Sequence, residues 1–133
     1  MSSPRVPHLN HLAPVLVVDD VEPCVAFWVG RFGFEAKNET PWHDGTLFFA
    51  SVVKGDLEIM YQTRRSVLAD QPEAAAELAG RSALLFFTVP DLDDVERATS
   101  GVPVVKPRHK TPYGSTEIYV REPGGNLVGF AQF

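Results

Sequence analysis

Cysteine is almost absent from these 133 residues: Cys24 stands alone. A single thiol excludes an intramolecular disulfide and any zinc or iron–sulfur site built on several thiolates. Long apolar runs are missing too, since nothing approaches the roughly 20 residues that cross a bilayer. The opening Met1-Ser-Ser-Pro-Arg-Val-Pro7 has no hydrophobic stretch resembling a secretory signal. Bases are outnumbered, with 12 Lys and Arg against 17 Asp and Glu and a formal charge of −5. Such a surface repels polyphosphate but admits a cationic ligand. The composition reads as a soluble cytosolic (cytoplasmic) protein with neither a nucleic-acid nor a membrane partner.

What is present suits a packed fold. A content of 44% hydrophobic and 22% charged residues fits one compact domain, or two half-size repeats sharing a core. Residues 1–10 read as a loose arm, because Pro4 and Pro7 block regular structure. Residues 12–18 read as a short buried strand. Asp20 is the expected N-cap of a helix from about Val21, which carries Val21, Val25, Trp28 and Val29 at helical spacing and stops at Gly33. Strands follow near 34–39, 46–53 and 56–63, the last two joined by a tight turn at Lys54-Gly55. Residues 64–81 read as a linker holding one short helix over 71–79.

After the linker the order restarts. A strand at 82–89, a helix at 91–99 capped by Asp91, and strands at 102–106, 115–121 and 127–132 complete the chain. Val18-Asp-Asp-Val21 matches Val89-Pro-Asp-Leu92 in type 71 positions later, and the same shift carries Leu57 and Ile59 onto Val128 and Phe130. The fold class expected is α+β, with one βαβββ module over 11–63 and a second over 82–133.

Strand alternation assigns faces. Leu57, Ile59 and Tyr61 share one face with Phe48, Ala50 and Val52, while Glu58, Met60 and Gln62 share the other with Leu47, Phe49 and Ser51. The turn at 54–55 would place Ser51 directly across from Glu58, within hydrogen-bonding reach. In the second half Leu84, Phe86, Thr88, Glu117, Tyr119, Leu127, Gly129 and Ala131 lie opposite the core-facing set. Sheets apolar on both faces must be covered on both, and curling two mixed half-sheets around a shared cleft would do so. Such a cleft is apolar with few polar anchors, as small-molecule sites are.

Several stretches together resemble the vicinal oxygen chelate superfamily of glyoxalases, fosfomycin- and bleomycin-resistance proteins and extradiol dioxygenases. They are Val17-Val-Asp-Asp-Val21 leading into Ala26-Phe-Trp28, Phe32-Gly-Phe34, Lys54-Gly-Asp-Leu-Glu-Ile-Met60, and Glu117-Ile-Tyr-Val-Arg-Glu-Pro-Gly-Gly-Asn-Leu-Val-Gly-Phe130. The last is similar to the family's closing D-P-x-G-N hairpin, with Glu122 in place of the usual Asp. The likeness covers about residues 11–133. It implies paired βαβββ modules, and in most relatives a homodimer whose clefts combine modules of both chains. The family's enzymes usually hold a divalent metal with His and Glu side chains, one from each of four strands. Carried over by motif, those positions are Ala13, Glu58, Leu84 and Gly129. Only Glu58 has a donor side chain, so the resemblance implies no metal and no cofactor here. His11, on the same strand parity as Ala13, leaves open a shifted site with Glu58.

Trp28 reads as core. Trp42, in a Pro-, Asp- and Gly-flanked loop, either stacks on a flat or cationic ligand or anchors the loop against the sheet. His43 beside Asp44 is either a base dyad or a solvated turn, and Cys24 reads as a small buried hydrophobe. Arg64-Arg65 and Arg108-His-Lys110 read as solvated loops. The expected site is therefore Trp42, His43, Phe49, Met60, Phe86 and Tyr119 for contact area, with Ser51, Glu58 and Glu117 to orient the ligand. The function expected is metal-free binding of an aromatic or partly cationic small molecule, of the kind drug-sequestering, antibiotic-resistance relatives perform. The alternative is a glyoxalase- or dioxygenase-related lyase or isomerase, using Glu58 or Glu117 as acid–base or a metal held through His11. A partner-binding module with a vestigial cleft is a third.

Overall fold

A computed structural model describes residues 5–133, so the first four positions of the expected arm lie outside the described residues. Residues 5–14 form neither helix nor strand, and Val6, Leu9 and Leu12 are exposed. The first module runs β1 (Val15–Val18), α1 (Glu22–Phe32), β2 (Glu35–Pro41), β3 (Leu47–Lys54) and β4 (Leu57–Thr63). Two short helices follow, α2 (Arg64–Asp70) and α3 (Pro72–Leu78). The second module is β5 (Leu84–Thr88), α4 (Leu92–Ala98), β6 (Val104–Lys110), β7 (Thr116–Arg121) and β8 (Leu127–Gln132).

Each module makes a four-stranded mixed sheet, ordered β1-β4-β3-β2 and β5-β8-β7-β6. In both, the first strand lies parallel to the last and the other pairs are antiparallel. The α+β architecture and the two βαβββ modules match the sequence reading. The sheets remain open and do not close on one another.

One core serves both modules. Trp28 on α1 is 1% exposed, and its ring meets Phe34 at 5.1 Å and Phe87 of the second sheet at 5.6 Å. Phe32 stacks on Phe130 at 5.4 Å. Each such buried ring contributes about 1.5–3 kcal/mol, so α1 binds the halves together along its length. A chain of polar atoms crosses the same seam. Trp28 Nε1 donates to Tyr61 OH at 2.8 Å, and Tyr61 OH donates to Glu122 Oε2 at 2.6 Å. The other oxygen, Glu122 Oε1, accepts the Asn126 backbone N–H at 2.6 Å. The closing hairpin of the second module thus satisfies the buried polar groups of the first. Cys24 lies against this carboxylate, and burial pushes its thiol pKa well up, with Glu122 adding to the effect.

Local chemistry moved several boundaries. β1 starts at Val15, not residue 12, after Pro14, which has no N–H to give. The α1 cap is Val21, without a side-chain bond; nearby Glu22 instead accepts the Leu47 N–H at 2.7 Å. Gly33 closes α1 as expected, at φ 69°, and Phe34 N–H returns to the Trp28 carbonyl at 3.1 Å. The linker holds two helices, because Thr63 caps α2 by accepting from Ser66 N and buries Ser66 and Val67 behind the two arginines. β6 runs to Lys110, so Arg108, His109 and Lys110 are strand residues rather than a solvated loop, and Arg108 pairs with Asp93 and Glu96 on α4.

Candidate functional site

The hairpin between β3 and β4 turns at Gly55-Asp56, since Lys54 and Leu57 are partners. The expected register is therefore displaced by two residues. An even displacement keeps every side chain on its assigned face, but it changes neighbours. Ser51 stands across from Met60, and Val53 across from Glu58. The expected Ser51–Glu58 contact is not made: Ser51 Oγ is buried without a hydrogen-bond partner. Glu58 Oε1 instead meets His11 Nε2 at 2.6 Å, the arm reaching over the end of the sheet. A recess of about 360 Å³ lies there, lined by Asn10, His11, Val53, Asp56 and Glu58. Phe49 and Met60 are half-buried on the same sheet face.

Trp42 is half-buried in its loop, 4.5 Å from Phe48 and with the Arg65 guanidinium 4.6 Å from its ring centroid. It anchors the loop and also walls a recess of about 430 Å³ with Asp19, Asp20 and Glu22. His43 is exposed, and Asp44 does not orient it. The Asp44 carboxylate accepts from Thr46 Oγ1 at 2.6 Å and Thr46 N at 2.9 Å, bonds that hold its pKa below the usual range.

The second sheet carries the better-defined polar site. Glu117 is 1% exposed. Its Oε2 accepts from Ser115 Oγ at 2.7 Å, and its Oε1 accepts from Tyr119 OH at 2.8 Å. The Ser115 hydroxyl foremost, with Tyr119 and nearby His109, keeps this carboxyl below its ordinary pKa against the opposing effect of burial. The Tyr119 phenol is pushed up to about 12, chiefly by its bond to Glu117. His109, the β6 partner of Glu117, stacks on the Tyr119 ring at 6.2 Å. Val105, Tyr113 and Leu127 complete a recess of about 400 Å³, with Lys106 and Lys110 also on its wall. Among the described residues no Lys or Arg pairs with Glu117 within 4.0 Å. Sequence reasoning placed Glu117 and Tyr119 on this face but omitted Ser115, which the same two-residue period would have found. It lost His109 by ending β6 too early.

The positions carried over from the metal-binding relatives also resolve. β5 pairs Phe86 with Gly129 and Leu84 with Leu127, so Leu84 and Gly129 are not neighbours. A Cβ on Gly129 would stand 2.6 Å from Tyr119 Cε1 and 3.2 Å from Phe86 Cδ1. The Tyr119 ring therefore lies over the position where a fourth ligand side chain would rise. Phe86 is 48% exposed beside it. Ala13 precedes β1, and no group of three or more His, Cys, Asp or Glu suited to a metal occurs among the described residues. The Glu58 and Glu117 recesses share no lining residue.

A sequence model of the Glyoxalase/Bleomycin resistance protein/Dioxygenase superfamily matches residues 8–130. The chain belongs to that superfamily. This glyoxalase-superfamily chain is 26% identical over 135 residues to the virulence protein STM3117 of Salmonella typhimurium, covering 96% of this chain and 85% of that one. Its fold superposes on TioX from Micromonospora sp. ML1 with a TM-score of 0.73 at 24% identity, covering 92% of this chain and 98% of that one. It matches a lactoylglutathione lyase from Agrobacterium tumefaciens with a TM-score of 0.71 at 23% identity, covering 95% of each. These structural likenesses establish the fold of the superfamily chain. No helix among its described residues is long and apolar enough to cross a membrane.

Proposed function

We propose that this chain binds a small aromatic cation and does so without a metal. The observation that carries the reading is the Glu117 recess: a buried, ionised carboxylate under aromatic walls, with no cationic side chain paired to it. A carboxylate held this way attracts an ammonium or guanidinium group, while Tyr113, Tyr119 and His109 offer ring faces. The metal positions support the same reading. Ala13, Leu84 and Gly129 have no donors, the Tyr119 ring covers the last of them, and Glu58 alone does not fit a divalent ion. The chain acts as a homodimer in this reading, with a second copy covering Leu84 and Phe86, which are 54% and 48% exposed.

The test is calorimetric titration with 2-phenylethylamine and its neutral analogue 2-phenylethanol. The amine should bind and the alcohol should not, with Glu117→Gln weakening the amine about tenfold or more, the scale of a charged hydrogen bond. Equal binding of both, or no effect of Glu117→Gln, refutes it. Near-stoichiometric retention of added zinc, nickel, iron or manganese refutes the metal-free part. A second reading, acid–base chemistry, rests on the 2.6 Å contact of His11 with Glu58. It requires turnover of some substrate that collapses in Glu58→Gln while Glu117→Gln leaves it intact.

A further inference from the structure

A further recess belongs to neither sheet face above. It opens on the other side, where α1 of the first module meets the α4–β6 loop and the closing hairpin of the second, and its volume is about 590 Å³. That is within the range of about 300–1,000 Å³ typical of small-molecule sites. Pro23, Phe27, Val102 and Pro103 give it an apolar wall. Two cations, Arg31 and Arg121, stand on that wall.

Both arginines are held in place by backbone carbonyls. Arg31 Nη1 donates to the Ala98 and Ser100 carbonyls at 3.1 and 2.9 Å, and Arg121 Nη1 donates to the Gly125 carbonyl at 3.0 Å. In each case a single nitrogen makes the bonds, which leaves the other edge of the guanidinium uncommitted among the described contacts. Neither arginine forms an ion pair among the described residues. The one acid on the wall is Glu122, and it is turned inward with both oxygens occupied by Tyr61 and Asn126. The recess thus joins an apolar wall to two cations, in a chain whose overall charge is −5.

We infer that this seam recess binds a small amphipathic carboxylic acid, its apolar body against Phe27 and Val102 and its carboxylate between Arg31 and Arg121. Guanidinium edges recognise carboxylates with two parallel N–H···O bonds, and positioning them in advance lowers the ordering cost of binding. The site is independent of the Glu117 recess and takes a ligand of opposite charge.

Decanoate, decanol and decylammonium are the probes, each titrated into ¹⁵N-labelled protein. Decanoate should bind saturably and shift the amides of residues 101–102, 121–122 and 124–125, while decanol and decylammonium should not. Arg121→Gln should weaken decanoate about tenfold or more. Arg31→Gln should do the same, and because Arg31 also holds the Ala98–Ser100 turn, Ala26→Trp provides a second, non-polar block on the exposed face of α1. Glu117→Gln should leave decanoate binding unchanged, which separates this site from the function proposed above. Equal binding of decanol, or decanoate binding that survives both Arg121→Gln and Ala26→Trp, overturns the inference. So does a dimer in light scattering that Ala26→Trp dissociates, because a second copy would then fill the seam.

Discussion

Tyr61→Phe removes a single oxygen, and the structure says the loss is large. That hydroxyl accepts from Trp28 Nε1 and donates to Glu122 Oε2, and all three side chains are at most 2% exposed. Phenylalanine keeps the ring and its packing, so the change is confined to hydrogen bonding. A buried polar group left without a partner costs about 1–3 kcal/mol, and more when it is charged. Here two groups are stranded, an indole N–H and a carboxylate oxygen. Relief from burying the hydroxyl itself offsets part of this, leaving a net loss of about 3 kcal/mol. Against a typical total of about 5–15 kcal/mol that is a substantial fraction, and it corresponds to roughly a 10 °C fall in melting temperature for a chain of this size. Urea denaturation with an unchanged m-value is the assay. Trp28→Phe combined with Tyr61→Phe should cost less than the two singles together, because both remove the same Trp28–Tyr61 hydrogen bond. A loss under about 1 kcal/mol for Tyr61→Phe would refute the argument, since it would mean that water satisfies these groups.

Two further results follow from the second sheet. Gly129→Ala places a methyl 2.6 Å from the Tyr119 ring, so the ring must shift; overpacking of this kind costs about 1–3 kcal/mol by denaturation. Tyr119, read by site-resolved ¹³C NMR, should titrate at about 12 and return toward its ordinary value of about 10 in Glu117→Gln. The sign follows from the protonated phenol being favoured in the fold. The stabilisation is complete below about pH 10 and is lost as pH rises through about 12. Glu117, held low, contributes in the opposite direction: its stabilisation is present above the ordinary Glu range and is lost as pH falls through its depressed value.

The repeat and the faces were legible because both rest on periodicity, which survives small errors of register. A two-residue slip at the β3–β4 turn left every residue on its assigned face while giving Ser51 and Glu58 different partners. Side-chain competition was less legible. Asp44 looked free to orient His43, but its own backbone two residues on, at Thr46, was the nearer donor. The α2 helix was hidden because Arg64-Arg65 reads as solvent-facing, which it is; the helix is held by the buried Ser66 and Val67 behind them. The covering of Gly129 by Tyr119 left only a weak trace in the sequence: a glycine across from an aromatic on a neighbouring strand.

The position of the Glu122 hairpin has a consequence for biosynthesis. Residues 28 and 61 emerge from the ribosome long before residue 122, so the earlier half is complete in length while its indole and phenol still lack their acceptor. Gly124 packs closely too: a Cβ there would meet Val18 Cγ1 at 2.5 Å, so the last hairpin fills a place that the first half must keep vacant. Chains released before residue 122 would be sticky fragments rather than working half-proteins, and a nascent chain must keep its apolar surface from other chains until translation is nearly done. The two halves follow one pattern, but neither completes a core by itself.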